Sequence, residues 1–397
     1  MNKIENKLLD SIIKRINIIY IVIAILVSFA LRYLFFPFIS SDMEGFLIGW
    51  YGQLQQLGGM KGLAVQVGNY SVAYQTFIAI MTELSIPAVI GYKVFSCIFD
   101  YVLALGVYFI LKKDTNPAVS KNALIGFTLI IFSPLVFINS AMWGQCDSIY
   151  TSFLVLSYLM YTKKKYPLCF VFFGLSFAFK LQAIFALPFL LFAYLYDRKF
   201  TVLNFLLTPI TMIAVCIPAY INGRGFKGFI SPYYYQTESC DKVFFNYPSF
   251  WSLFPFSPDR AIDYISAIKY PAIILTFVIL LTLMFVIIKK NISMETNSLN
   301  ILMLFIYTCV EFLPGMHERY AFPIEILSII LAIKNKKTIP LAIALNVLSF
   351  ITYGVSLYGG TVNYIPLGIA NFIVYLMYIV FLINPGFTLK QSASKQA

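Results

Sequence analysis

Apolar runs of about 20 residues recur from one end of this chain to the other, and that is the length a helix needs to cross a hydrocarbon layer of ~30 Å. Most of them carry no polar face. A large soluble core is excluded on that ground, because charge is scarce as well: 12% of the residues are Asp, Glu, Lys or Arg against 60% hydrophobic, about half the charge of an ordinary soluble protein. The expected fold is all-α, a polytopic integral membrane protein with one membrane domain over 1–397. Spans are predicted near 17–39, 88–111, 122–140, 147–161, 167–179, 183–196, 201–220, 266–288, 299–314, 320–333, 339–357 and 366–384, about twelve in all. The fourth to sixth and the tenth are short, so they are expected to tilt or to end inside a water-filled cavity.

The net charge of +12 would suggest nucleic acid as a partner of a soluble protein. Here it sets topology, since Lys and Arg accumulate in cytoplasmic loops. With the N-terminus placed in the cytoplasm, the short loops on that side and both tails hold 19 of the 29 basic residues. Residues 1–16 and 385–397 are then cytoplasmic tails, the first with no small-residue cleavage site. Two long extracytoplasmic loops follow, 40–87 and 221–263, the second rich in Tyr, Phe, Pro and Trp. It is expected to cover a cavity, to stack on acceptor sugars, or to lie at headgroup depth. No Gly-rich phosphate loop and no internal repeat are visible. Cysteines 97, 146, 169, 216, 240 and 309 show neither CxxC nor metal-ligand spacing and read as small hydrophobes.

Four polar clusters fall on the predicted outer side. "SSDMEG" places Asp42 first after the membrane exit, with Glu44 two residues on; a helix N-cap is the plain alternative. "SAMWGQCDSIY" offers Trp143, Gln145 and Asp147, with Trp143 as an interface anchor and Asp147 as another N-cap in the plain reading. "FAFKLQAIFALP" interrupts an uncharged stretch with Lys180 and Gln182, where a snorkelling lysine is the alternative. "GMHERYAFP" packs the only histidine, His317, against Glu318, Arg319 and Tyr320. Charges at membrane depth are costly and generally face a cavity or a partner. Together these supply carboxylates, cations, amides and an imidazole, a set suited to binding an anionic phosphate and moving a proton. Asp100 is expected to pair with Lys93 or to face a cavity, and Arg32 to point toward the outer interface.

That set fits glycosyl transfer from a lipid-phosphate sugar. Lys180 and Arg319 would hold the phosphate. Asp42 would take the proton of the acceptor hydroxyl. Gln145 and Asp147 would orient hydroxyls, and His317 and Glu318 would contact sugar or phosphate. No cofactor is required; if a divalent metal such as Mg or Mn takes part, Asp42, Asp147, His317 and Glu318 are the candidate ligands.

Taken in order, the first-loop Asp42 with "GWYG" downstream, then "WGQCD", "FKLQA" and "MHERYAFP", the chain resembles the polytopic GT-C glycosyltransferases. The resemblance is nearest to bacterial mannosyltransferase-like proteins related to the PIG-V GPI mannosyltransferase, and covers about residues 17–335. It implies a polyprenyl-phosphate sugar donor, an inverting transfer with Asp42 as base, and a multi-pass protein of the cell membrane with an extracytoplasmic active site. The acceptor would be a cell-surface glycan or a lipid-linked one, and the other partners membrane lipid, with no nucleic acid. The chain departs from many relatives in carrying Ser-Asp instead of a paired acidic motif; Glu44 is the nearest second acid. Three rivals stand beside this reading: a lipid-linked glycan polymerase or ligase, a transporter or flippase of a lipid-linked sugar, and a non-catalytic scaffold.

Overall fold

The computed structural model describes residues 2–112, 120–238, 242–254 and 261–384, without the side chains of 238 and 261–264. The C-terminal tail 385–397, Cys240 and parts of the 112–121 and 221–263 loops lie outside the described residues. No strand occurs among the described residues. The helices are α1 (Lys3–Lys14), α2 (Ile16–Tyr33), α3 (Ile48–Gln56), α4 (Val72–Glu83), α5 (Ala88–Leu111), α6 (Lys121–Ile131), α7 (Pro134–Phe137), α8 (Asp147–Thr162) and α9 (Tyr166–Phe179). They continue with α10 (Leu187–Asp197), α11 (Leu207–Ala214), α12 (Ile217–Ile221), α13 (Lys227–Glu238), α14 (Ala261–Lys289), α15 (Met294–Phe312), α16 (Phe322–Lys334), α17 (Ile339–Tyr358) and α18 (Tyr364–Ile383).

This is an all-helical, polytopic membrane protein. Among the described residues α2, α5, most of α14, α17 with its preceding turn, and α18 are each long and apolar enough to cross a membrane. A sixth candidate is the pair formed by α6 and Pro134–Met142, bent by 43°. The bend has a cause in the sequence: Pro134 cannot donate to the preceding turn, and Ser133 before it is extended. Large apolar side chains such as Ile274, Phe277, Leu281 and Phe285 on α14 are exposed; hydrocarbon, not water, is the solvent that suits them. Each of the twelve predicted segments overlaps helix, the first beyond the end of α2 at Tyr33 and those at 122–140 and 201–220 broken into shorter pieces. Prolines in the first turn, where no backbone donor is lost, open α9 (Pro167), α10 (Pro188), α16 (Pro323) and α17 (Pro340).

Two expectations about mid-membrane charge are corrected. Arg32 does not reach up to an interface. It is fully buried and donates through Nε to Asp100 Oδ2 at 2.9 Å, with a second contact from Nη2 at 2.9 Å. The same carboxylate accepts from Ser140 and Ser148, each at 2.5 Å. A buried guanidinium–carboxylate pair with hydroxyls on the remaining lone pairs is the arrangement that makes such burial tolerable. Lys93 therefore does not serve Asp100. Its ammonium donates to the carbonyls of Phe35, Phe36 and Phe38 at 3.0, 3.0 and 2.5 Å. Those carbonyls belong to the turn after α2, so Lys93 fixes the segment that delivers Asp42. The five described cysteines are free and buried.

The short helices explain where the site lies. The C-terminal ends of α2, α9 and α15 and the N-terminal ends of α8, α10 and α16 gather at one end of the bundle. The basic turns after α8, α10, α14 and α16 lie at the other end.

Candidate active site

All four polar clusters meet at that end. Asp42 follows the turn held by Lys93 and stands at the head of a π-helical turn, Met43–Leu47. It caps no backbone N–H. Instead its Oδ2 accepts from Trp143 Nε1 at 3.0 Å and from Gln145 Nε2 at 2.7 Å, and lies 3.4 Å from Arg319 Nη2. All three contacts fall on one oxygen. The other, Oδ1, takes no hydrogen bond among the described residues, and the side chain remains 29% exposed.

Arg319 ties the second cluster to the fourth. Its Nη1 donates to Gln145 Oε1, its Nε to Glu318 Oε1 at 3.2 Å, and its guanidinium lies 5.0 Å over the Trp143 ring. Gln145 Oε1 also accepts from Tyr70 at 3.2 Å. Burial pushes the Tyr70 phenol well above its ordinary value, so it stays protonated and donates. The third cluster arrives from the end of α9: Lys180 makes an ion pair with Asp147 and stands 5.4 and 5.3 Å over the Tyr150 and Tyr320 rings. Asp147 is fully buried and its second oxygen accepts from Asn139 at 2.9 Å.

These residues frame a cleft of about 250 Å³. From the predicted set, Asp42, Gln145, Lys180, Gln182, His317, Arg319 and Tyr320 line it. Among the described residues its charged lining groups are Asp42, Lys180 and Arg319. Each cation also has a buried carboxylate partner, Asp147 for Lys180 and Glu318 for Arg319.

Four predicted contacts are corrected. Glu44 is exposed and does not line the cleft: the π-helical turn buries Met43 and Leu47 and leaves Glu44 on the outer side. Trp143 is no interface anchor; it is buried beneath Asp42, edge-on to Tyr353 at 5.4 Å. Asp147 sits behind Lys180 and Glu318 beside Arg319, both buried and both outside the cleft lining. These three orient the groups that face the cleft. The candidate metal ligands are likewise drawn to different partners. Among the described residues no three His, Cys, Asp or Glu side chains come together as a metal site. Asp147 is held by Lys180, Glu318 by Arg319 and Asp42 Oδ2 by three donors.

Asn69, Tyr70, Trp50, Phe46 and Leu47 of the first loop and Gln236 of the second also line the cleft. Phe245 of the second loop stacks on His317, rings 4.4 Å apart and 12° from parallel. The aromatic loop thus reaches the cleft. No charge marks these positions in the sequence; they stand among many similar Tyr, Phe, Asn and Gln residues.

Gly144 separates Asp42's two uncharged donors. Its φ is +75°, and a Cβ there would collide with Met43 Cε. Gly144→Ala meets both backbone strain and the methionine. The Met43 methyl end can move aside, so we expect the thermal unfolding midpoint to fall by what ~1–2 kcal/mol of backbone strain costs. Tryptophan fluorescence would shift as Trp143 leaves Asp42, with the helical circular dichroism unchanged.

No known protein-family model matches the chain, and a search of curated proteins finds no match either.

His317 contributes as a neutral ring. Burial, then Arg319, Lys180 and Lys242 nearby, pull its pKa down to about 3. Its folded value lies below its unfolded value of ~6.5, so between those two the unfolded chain binds more protons and stability rises with pH. Thermal unfolding should therefore show a midpoint that falls as pH drops from about 6.5 toward 3. His317→Gln should flatten that slope and leave the midpoint above pH 7 little changed.

Proposed function

We propose that this chain is an integral membrane glycosyltransferase of the GT-C kind, moving a sugar from a polyprenyl-phosphate donor to an acceptor hydroxyl. The observation that carries the reading is the composition of the cleft: one carboxylate with a free oxygen, Asp42, beside two cations, Lys180 and Arg319. In the reaction the acceptor hydroxyl attacks the anomeric carbon. The carbon–oxygen bond to phosphate breaks as the new glycosidic bond forms, with inversion. The proton passes to Asp42 Oδ1, and the electron pair leaves on polyprenyl phosphate. Arg319, planar and forked, and Lys180, a compact charge, stabilise that leaving group as its charge grows. Gln145 spends both ends of its amide on holding Asp42 and Arg319 in register. Gln182, Gln236 and Asn69 supply amide groups for sugar hydroxyls, and Trp50 and Tyr70 supply ring faces.

The finer topology belongs to the same proposal. All twelve segments would cross or enter the bilayer, the short ones ending at the cleft. The basic turns would face the cytoplasm with both termini, and the cleft the outer side of the cell membrane. The donor must then be lipid-linked, since no nucleotide-sugar is at hand there. The acceptor is a surface glycan or a lipid-linked one, and the sugar, by the family resemblance, a mannose-like hexose. A transporter would need polar groups leading through the membrane; Arg32 in the last turn of α2 and Asp100 midway along α5 satisfy each other instead.

The test is surface-glycan composition in a strain lacking the gene, complemented by wild type or Asp42→Asn at equal membrane abundance. Loss of one sugar on deletion, restored by wild type alone, supports the proposal. Full restoration by Asp42→Asn removes Asp42 as the base.

A further inference from the structure

We propose that a groove at the basic end of the bundle, remote from the cleft, holds one anionic phospholipid. The groove, of about 570 Å³, lies between α6, α16 and α17. Its walls are aliphatic and aromatic: Ile125, Leu129 and Phe132 from α6, Ile329 and Ile333 from α16, Ile343 from α17. Its mouth is polar, with Asn122 in the first turn of α6 and Lys336 in the turn joining α16 to α17. Lys121 adjoins Asn122, and both lysines are exposed. Among the described residues, no Asp or Glu lines the groove.

Position, length and charge single out the occupant. Both α17 and the bent α6 pair are candidate spans, so the groove opens to hydrocarbon and not to water. From Asn122 to Ile131 it follows nine helical rises of α6, about 14 Å at 1.5 Å each, close to the ~15 Å depth of one leaflet's hydrocarbon. The groove ends at the break between α6 and α7, at Ser133 and Pro134. An acyl chain fills such a channel along its length, and a phosphate headgroup then lies level with Lys121 and Lys336. A basic residue at that depth favours anionic over zwitterionic lipid. The inference does not depend on the chemistry of the cleft, which lies at the opposite end of α16.

Native mass spectrometry of the full chain, released from nanodiscs of equal phosphatidylglycerol and phosphatidylcholine, tests it. The wild type is expected to retain one phosphatidylglycerol in clear preference to phosphatidylcholine. Lys121→Ala with Lys336→Ala should lower that preference by about fivefold per lysine removed. Ala342→Trp, which places an indole in the groove, should abolish retention of either lipid. Should that variant fold poorly, Lys336→Glu at the exposed mouth serves in its place and should favour phosphatidylcholine. Equal retention of the two lipids by wild type overturns the proposal, as does retention unchanged by the lysine substitutions. A dimer that Ala342→Trp or Lys336→Glu disperses would assign the groove to a second copy of the chain, and overturns it too.

Discussion

Asp42→Asn is expected to lower the rate of sugar transfer by about 10²- to 10⁴-fold while leaving the protein folded and donor affinity nearly intact. The geometry gives the reason. Trp143 Nε1 and Gln145 Nε2 both donate to Oδ2, so an asparagine must turn its carbonyl oxygen toward them. Its NH₂ group then occupies the place of Oδ1, and a donor stands where the acceptor's proton should go. The carboxylate's charge is lost as well, weakening the hold on Arg319. Single-turnover rates, with binding of the lipid-linked donor measured separately, check this: the fall should lie in the chemical step. Asp42→Glu keeps a base displaced by one methylene and should recover part of the rate. Equal rates for wild type and Asp42→Asn would mean that the proton leaves by another route.

Lys180→Ala carries the second large effect, and it acts on folding as much as on phosphate binding. Asp147 is fully buried beneath Lys180, its one ion-pair partner among the described residues, and Asn139 supplies a neutral donor. Removing the lysine strands a buried carboxylate, a change that costs about 3–5 kcal/mol. Thermal unfolding in detergent should show a large drop for Lys180→Ala and for Asp147→Ala, which strands the lysine. Lys180→Met combined with Asp147→Asn keeps shape without charge and should regain most of the stability while remaining inactive. That separation assigns the ion pair to structure and the free face of Lys180 to substrate. Additive losses in the double variant would show that the two charges do not depend on each other.

The helices were legible because an apolar run of membrane length has few other folds open to it, and each of the twelve expected segments overlaps helix. The convergence of the clusters was legible too, since helices alternating in direction bring every second connection to the same end. The pairings were not. Lys180 and Asp147 are 33 residues apart and Arg32 and Asp100 are 68 apart, and which carboxylate meets which cation depends on helix rotation, which a run of near-uniform Leu, Ile and Phe does not specify. Arg32 and Lys93 were misjudged for that reason. Trp143 was misjudged because aromatic rings near an interface usually anchor to it, whereas Gly144 turns this one inward. Glu44 was lost to a local irregularity, the π-helical turn, which shifts the inward face by a fraction of a turn. Tyr70, Asn69 and Gln236 carry no charge, so nothing set them apart from their neighbours.

The central claim is that Asp42, Lys180 and Arg319 form one reacting centre for a lipid-linked sugar. The most direct measurement uses the purified chain in nanodiscs with a polyprenyl-phosphate hexose and a soluble acceptor. It follows release of polyprenyl phosphate together with the anomeric configuration of the product. The account predicts acceptor-dependent release with inversion in the wild type, and neither with Asp42→Asn. Passage of the intact lipid-linked sugar across the bilayer, with its glycosidic bond unbroken and no phosphate released, would contradict it.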